Sequence, residues 1–468
     1  MIAACTLAVF AILVSAASAE EAVVTVDASK DLGVLRRHEL YNNNSLLRPP
    51  SDAMASKFQK ELGTAKLMRC WVTINDYWDG KSDGYDFDFP CGWHGHDKND
   101  RFHDYMQRFS DTSEELMLNV RGYEQEVMRG EIPLERWRKA VKDGLLHYKK
   151  RYPKIKYVEA CNEFRYFAKL TLDEYYDNFY LAMCRVVAEV NDELKPDVPL
   201  LVGAPVEVGT IEGQVFPFID KFAADKDPAK RLDFISYHRY DFYKTKPAQA
   251  ANEEAEIDAR LKIHGLSEDI PLFITEMGIF PVRRQVTDDV GYDQVIQAAA
   301  MTSIFYYYNR QPGIQGMHWV MQHVSNDRKT QMTDDLKWTP YGASLLMARL
   351  HKTRQLAACS DSLGADGLGV YAIASGDESG LAVQVWNYQY DGEKEYTATV
   401  RVTQLGERFA GKRVLVRRYL IDSTHSTPEL GRLEKVDEAV VAHDGTITQT
   451  IHLENNALCL IELTAVDD

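Results

Sequence analysis

Between Lys66 and Leu350 short apolar runs bounded by turns alternate with longer stretches of helical period, and this alternation limits the chain to very few folds. Each run needs a neighbouring run to pair its backbone, and each amphipathic stretch needs a sheet to cover its apolar face. The strand-like runs are Lys66 to Val72, Leu116 to Val120, Ile155 to Asn162, Leu200 to Val206, Asp233 to His238, Leu272 to Gly278 and Gly313 to Val320. An eighth is expected near Gly33 to Leu40. Between them apolar residues recur at three and four in Leu134 to Arg151, Asp173 to Leu194, Glu212 to Asp225 and Asp288 to Arg310. Repeated βα units of this number predict an α/β chain folded as a (β/α)₈ TIM barrel with loop insertions. A doubly wound open sheet would need a phosphate-cradling G-x-G-x-x-G after an early strand, and none stands in such a position.

After Leu350 the period changes from helical to alternating, in Leu368 to Ser375, Leu381 to Tyr388, Tyr396 to Gln404, Arg413 to Asp422, Ile447 to Leu453 and Leu458 to Val466. Six such strands joined by short polar turns predict a C-terminal β-sandwich domain, and the alternating segment Ala22 to Val26 is expected to add a strand to it. Met1 to Ala19 is apolar, carries no charged side chain and closes in Ala17-Ser18-Ala19 before Glu20, the pattern of a secretory signal peptide. The expected organisation is therefore a signal peptide at 1–19, a barrel at 20–350 and a sandwich at 351–468, in a secreted or extracytoplasmic protein with no membrane span in the mature chain. Six cysteines lie beyond the signal, too widely spaced for a small disulfide scaffold, and Cys161 and Cys184 sit in apolar segments that suit buried free thiols. With 70 acidic against 54 basic residues the chain carries a net charge of -16, which opposes nucleic acid and anionic membranes and favours a neutral partner.

In a barrel the chemistry belongs at the carboxyl ends of the strands, where an apolar run closes on an ionisable group. Two glutamates meet that description. Glu163 closes the run from Lys156 through Asn162, and Glu276 closes Leu272-Phe273-Ile274-Thr275, on strands four and seven. Two carboxylates facing each other across a barrel mouth are what glycoside hydrolysis requires: one protonates the leaving oxygen while the other attacks carbon or activates water. Around them, Asn162 offers an amide to a sugar hydroxyl, His238 ends the sixth strand with an imidazole able to donate to either carboxylate, and Arg69 offers a fixed charge that keeps a carboxylate ionised. Trp319, at the end of the eighth strand, offers a flat apolar surface on which a sugar ring can stack.

This constellation resembles the clan A glycoside hydrolases, and within the clan glycoside hydrolase family 39, the family of β-xylosidases and α-L-iduronidase. Asn162-Glu163, the run Asp233 to His238 followed by Tyr240, and Ile274-Thr275-Glu276 carry the resemblance, together with Arg418 to Asp422 and Thr424-His425-Ser426, which look like the family's Tyr-x-Ile-Asp-x-x-His-Ser stretch. It implies a retaining glycosidase, β-xylosidase-like, with Glu163 as acid/base, Glu276 as nucleophile, and Arg69, Asn162, His238, Tyr240 and Trp319 as substrate-binding residues. The partner is then a carbohydrate, and neither a metal nor any other cofactor is called for. The family usually reads Trp-Asn-Glu-Pro-Asn where this chain reads Cys161-Asn162-Glu163-Phe164-Arg165, a change in the pocket wall that leaves the carboxylate chemistry in place. Rival readings are a non-catalytic carbohydrate-binding protein on a degenerate barrel, and a xylanase or glucosidase of another clan A family.

Three further clusters are read as lying outside the catalytic group. Cys91, Trp93, His94, His96, Asp97 and His103 fall in the long loop after the second strand; their spacing could ligate a metal but fits no standard zinc pattern, and a substrate-facing or solvated loop is expected. Phe305-Tyr306-Tyr307-Tyr308 covers too many helix faces for one binding stripe and is expected to pack between helix and barrel. Lys149-Lys150-Arg151 is a solvated run at a helix end, where the dipole favours cations.

Overall fold

The two sequence periods become two sheets in the computed structural model, which describes residues 19–36, 45–46, 51–91, 101–240, 242–279, 290–319, 331–333 and 335–467. The first sheet runs β2 (Ser45–Leu46), β3 (Ala65–Thr73), β4 (Ser113–Arg121), β5 (Ile155–Ala160), β6 (Leu201–Val208), β7 (Phe234–Tyr240), β8 (Leu272–Gly278) and β9 (Ile314–Trp319), each hydrogen-bonded in parallel to the next. Laid flat, such a sheet would hold β3 and β8 about 24 Å apart, at about 4.8 Å per strand. Yet Arg69 of β3 reaches Glu276 of β8 at 2.8 Å, so the sheet curls round on itself as a barrel does. Leu67, Met117, Tyr157, Phe234 and Phe273, one from each of five strands, meet inside it as an apolar plug. The plug leaves no room on β6, where a Cβ on Gly203 would come within 2.4 Å of the Phe234 ring.

The expected first strand near Gly33 to Leu40 is corrected. β1 (Glu20–Val34) runs further than its apolar alternation suggests, and Gly33 and Val34 still pair with Gln355 and Arg354 in the other sheet. Residues 37–40 lie outside the described residues, and Ser45–Leu46 takes first place in the barrel beside Arg69 and Cys70. The strand count at the site is unchanged, because one strand replaces another. Of the expected helices, Leu134–Arg151 forms over the same residues, the next carries a π-turn at Tyr176–Tyr180 one turn after its α-helical start at Leu172–Tyr175, and the third opens with a π-turn at Ile211–Val215.

The second sheet contains β1 with β10 (Arg354–Ser360), β11 (Gly369–Asp377), β12 (Gly380–Tyr388), β13 (Tyr396–Thr403), β14 (Arg413–Ile421), β15 (Glu434–Val441), β16 (Ile447–Leu453) and β17 (Leu458–Val466). Hydrogen bonds join all nine in the order β15-β14-β17-β12-β11-β10-β1-β13-β16, where the sequence reading expects the two sheets of a sandwich. The link is β1, antiparallel to β10 on one side and parallel to β13 on the other. Val24, Val26 and Val400 from one wing share a core with Val383, Val414 and Ile461 from the other, so the wings pack across a common interior.

Barrel and second sheet meet through the helix Val290–Tyr308. Trp386 of β12 stacks on Tyr371 at 4.8 Å and donates its indole N–H to Ser303 Oγ at 2.8 Å. Tyr306 and Tyr307 set their edges against Tyr371, so half of the aromatic run turns to the second sheet rather than to the barrel. The six described cysteines are free thiols, all buried except Cys359. Among the described residues no helix is long and apolar enough to cross a membrane.

Candidate active site

Alternation along the strands decides what lines the barrel above its apolar plug. Two residues beyond Leu67, Met117, Tyr157, Phe234 and Phe273 stand Arg69, Asn119, Glu159, Ser236 and Thr275, all fully buried. Burying polar groups is costly unless they are paired, and Arg69 pairs both with Glu159 of this layer and with groups above it. Its guanidinium donates to Glu159 Oε2 at 2.6 Å, to Glu276 Oε1 at 2.8 Å and to Asn162 Oδ1 at 2.8 Å. Asn119 adds a hydrogen bond to the same Glu159 oxygen at 3.0 Å.

Glu163 lies just past β5 on a turn with left-handed backbone at Cys161 (φ 61°) and Glu163 itself (φ 44°), a conformation non-glycine residues rarely adopt. Its N–H donates to Val206 O of β6 at 2.8 Å, and the backbone N–H groups of Tyr166 and Phe167 donate back to its carbonyl. The side chain meets His238, whose Nδ1 is 2.8 Å from Glu163 Oε1 and 3.7 Å from Glu276 Oε2. Tyr240 completes the group by donating its hydroxyl to Glu276 Oε2 at 2.7 Å. One oxygen of Glu163, one of Glu276 and a ring nitrogen of His238 all lie within 4.8 Å of one another.

The two carboxylates sit in different electrostatic settings. Burial pushes the Glu276 carboxyl up, but the charges of His238 and Arg69 and the hydrogen bonds from Tyr240 and Arg69 outweigh it and hold the group below its ordinary value. Burial also lowers Arg69, and Glu159 and Glu276 more than restore it. Burial with Arg69 and His238 nearby pushes His318 down to about 3. Glu207, buried beside Glu163 and bonded to the backbone N–H groups of Arg165 and Val208, is raised by desolvation.

Six of the seven residues singled out from the sequence, Arg69, Asn162, Glu163, His238, Tyr240 and Glu276, thus come together in one network. Trp319 closes β9 in register with Met277, and its side chain lies outside the described residues. Of the loop after the second strand, Trp93, His94, His96 and Asp97 lie outside the described residues, while His103 sets Nε2 2.9 Å from His147 Nε2. Glu159, Asn119, His318 and Glu207 are missed by the sequence reading. Glu159 left a signal: a charged residue inside an apolar strand, two steps from Tyr157 and therefore on the same inward face. The Tyr-x-Ile-Asp-like stretch builds a turn, with Asp422 accepting the N–H groups of Thr424 and His425 and Ser426 Oγ donating to Leu420 O.

Glu163, His238 and Glu276 are close enough to share a cation, but both Glu276 oxygens already accept hydrogen bonds, one from a guanidinium. A cation there would face the Arg69 charge. The arrangement suits instead one carboxylate held as an anion by the Arg69 and Tyr240 donors and the His238 charge, and a second, buried, whose Oε1 faces His238.

No family profile and no curated protein matches the chain in sequence. Solved structures do match in fold. A monomeric β-xylosidase from Caulobacter crescentus CB15 superposes with a TM-score of 0.67 at 14% identity, covering 94% of this chain and 99% of that one. A glycoside hydrolase family 39 enzyme from Xanthomonas axonopodis pv. citri gives 0.66 at 14% identity over 97% of this chain and 100% of its own. A bacterial orthologue of human α-L-iduronidase gives 0.69 at 16% identity over 96% of this chain and 84% of its own. The chain has the overall fold of these clan A glycoside hydrolases, over nearly its whole length.

Proposed function

We propose that the chain is a retaining glycoside hydrolase working by double displacement. The observation that carries this is the pair of carboxylates at the barrel mouth, with oxygens within 4.8 Å of each other. A retaining pair sits about 5 to 5.5 Å apart, whereas an inverting pair leaves about 6.5 to 9.5 Å for water. Glu276, oriented by Arg69 and Tyr240 and kept ionised, attacks the anomeric carbon. Glu163 gives its proton to the departing oxygen, then takes one from the water that releases the sugar. His238 orients Glu163, Asn162 and Tyr240 meet sugar hydroxyls, and Trp319 supplies a stacking surface. No step calls on a metal or other cofactor.

The neighbours in fold include β-xylosidases, so aryl β-xylosides are the first substrates to try. The proposal extends to secretion after cleavage behind Ala19 and to a catalytic unit at 20–350 whose first strand joins a β-sandwich-like companion at 351–468. The test is proton NMR of the first-formed product from an aryl glycoside that is turned over. The substrate's own anomeric configuration is expected, and the opposite anomer would overturn the retaining assignment.

A further inference from the structure

Above the polar layer the strands present one more pair of inward positions, Trp71 on β3 and Arg121 on β4, each two residues beyond Arg69 and Asn119. The Arg121 guanidinium lies 4.9 Å from the Trp71 ring and 4.7 Å from the ring of Phe167. Among the described residues it makes no ion pair or hydrogen bond; Asp76 and Glu124 feel its charge without bonding it. Stacking on rings uses the flat of a guanidinium and leaves its N–H edge, which matches an oxyanion in forked geometry. In a chain with a net charge of -16, an arginine held half-buried between aromatic rings with no carboxylate bonded to it is out of keeping with its surroundings.

Its position says which part of a ligand it meets. Phe167 and Tyr166 belong to the turn that carries Glu163, tied to the Glu163 carbonyl through their own N–H groups, and Gln125 fixes the Phe167 carbonyl at 3.1 Å. Both rings are exposed, Tyr166 at 63% and Phe167 at 44%. A group that protonates the leaving oxygen stands beside the leaving portion of the substrate, so this wall borders the aglycone. We infer that Arg121, set between Trp71 and Phe167, is a subsite for an anionic group, a carboxylate or sulfate, on the leaving-group side of an acidic carbohydrate. The assignment of that side rests on the glycosidase reading; the anion site itself does not.

Calorimetric titration of the full mature protein with matched probes tests it: trigalacturonic acid against its methyl ester, and an aldouronic acid from glucuronoxylan against its carboxyl-reduced form. At least one acidic probe is expected to bind about tenfold or more tighter than its neutral counterpart, as charge-assisted hydrogen bonds of this kind provide. Arg121→Gln should abolish that preference and Arg121→Lys retain part of it, with unfolding temperatures confirming that both variants fold. Equal binding of acidic and neutral probes, or a preference that survives Arg121→Gln, overturns the site. Binding is measured without turnover, so the two readings fail separately. A protein that hydrolyses no glycoside yet prefers an acidic probe loses the glycosidase reading, and one that turns over aryl glycosides without that preference loses this subsite.

Discussion

At the scale of single residues the site divides labour by what each carboxylate touches. Glu276 has three neighbours, Arg69, Tyr240 and His238, holding it as an anion, whereas among the described residues the Glu163 carboxylate hydrogen-bonds His238 alone and projects from a strained turn. Glu163→Ala is expected to lose about 10²- to 10⁴-fold on glycosides with poor leaving groups and far less on activated aryl glycosides, which need no proton. Added azide should restore turnover there and yield a glycosyl azide of retained configuration. Glu276→Ala should be nearly inactive on both, and any azide product inverted. Product analysis checks both, and identical behaviour of the two variants would remove the role assignment. Tyr240→Phe tests the electrostatics. Its hydroxyl stabilises the charged form of Glu276, so removing it raises that carboxyl, and the acid limb of kcat/KM moves to higher pH. The sign carries over to stability. A carboxyl depressed by folding stabilises the fold above its unfolded value and ceases to do so as pH falls through the folded one. The wild type should therefore exceed Tyr240→Phe in unfolding temperature near neutrality, with the gap closing in acid.

At the scale of elements, legibility followed exposure. The seven barrel strands from Ala65 onward could be read because both of their faces are buried, leaving continuous apolar runs that end in chemistry at Glu163 and Glu276. β15 could not: as the edge strand of its sheet, with Glu434, Lys435, Asp437 and Glu438 along it, it has no apolar period to detect. β10 has a single buried residue, Leu356, and was missed for the same reason. His318 was hidden differently, because pairing inside a barrel depends on curvature, which local pattern does not encode, whereas Glu159 showed as a charge at an inward position of an apolar strand. The joint between the barrel and the second sheet was also misplaced, since periodicity says that Tyr306 and Tyr307 are apolar-facing but not which partner they face. That joint depends on Trp386, fully buried against Tyr371 and bonded to Ser303. Trp386→Ala is expected to destabilise the protein by about 3–5 kcal/mol, read by thermal or denaturant unfolding. A loss under about 1 kcal/mol would mean that the two parts are held together elsewhere.

For the whole molecule the controlling fact is that the second sheet is sewn from both ends of the chain. β1 begins at Glu20, whose N–H donates to Glu395 O at 2.8 Å, and it lies between β10 and β13 rather than at an edge. Ala22, Val24 and Val26 are buried at 0–1% exposure, and each valine contributes about 1.5–3 kcal/mol to the shared core. The sheet therefore completes only when residues past 350 fold onto a strand made before the barrel, which ties barrel and sheet into one folding unit. The proposed cleavage behind Ala19 fits this arrangement, since it frees the chain at the residue where pairing starts and removes none of the strand. Amino-terminal sequencing of exported protein should return Glu20. A version starting at Leu35 takes away the connecting strand, exposes the facing edges of β10 and β13, and opens the core they cover. It should accumulate as aggregate or unfold at a much lower temperature than the version starting at Glu20, with activity lost in parallel although no site residue has changed. Should the Leu35 version stay soluble with an unaltered unfolding temperature, the barrel would be an independent unit, and the second sheet an appendage to it rather than part of its fold.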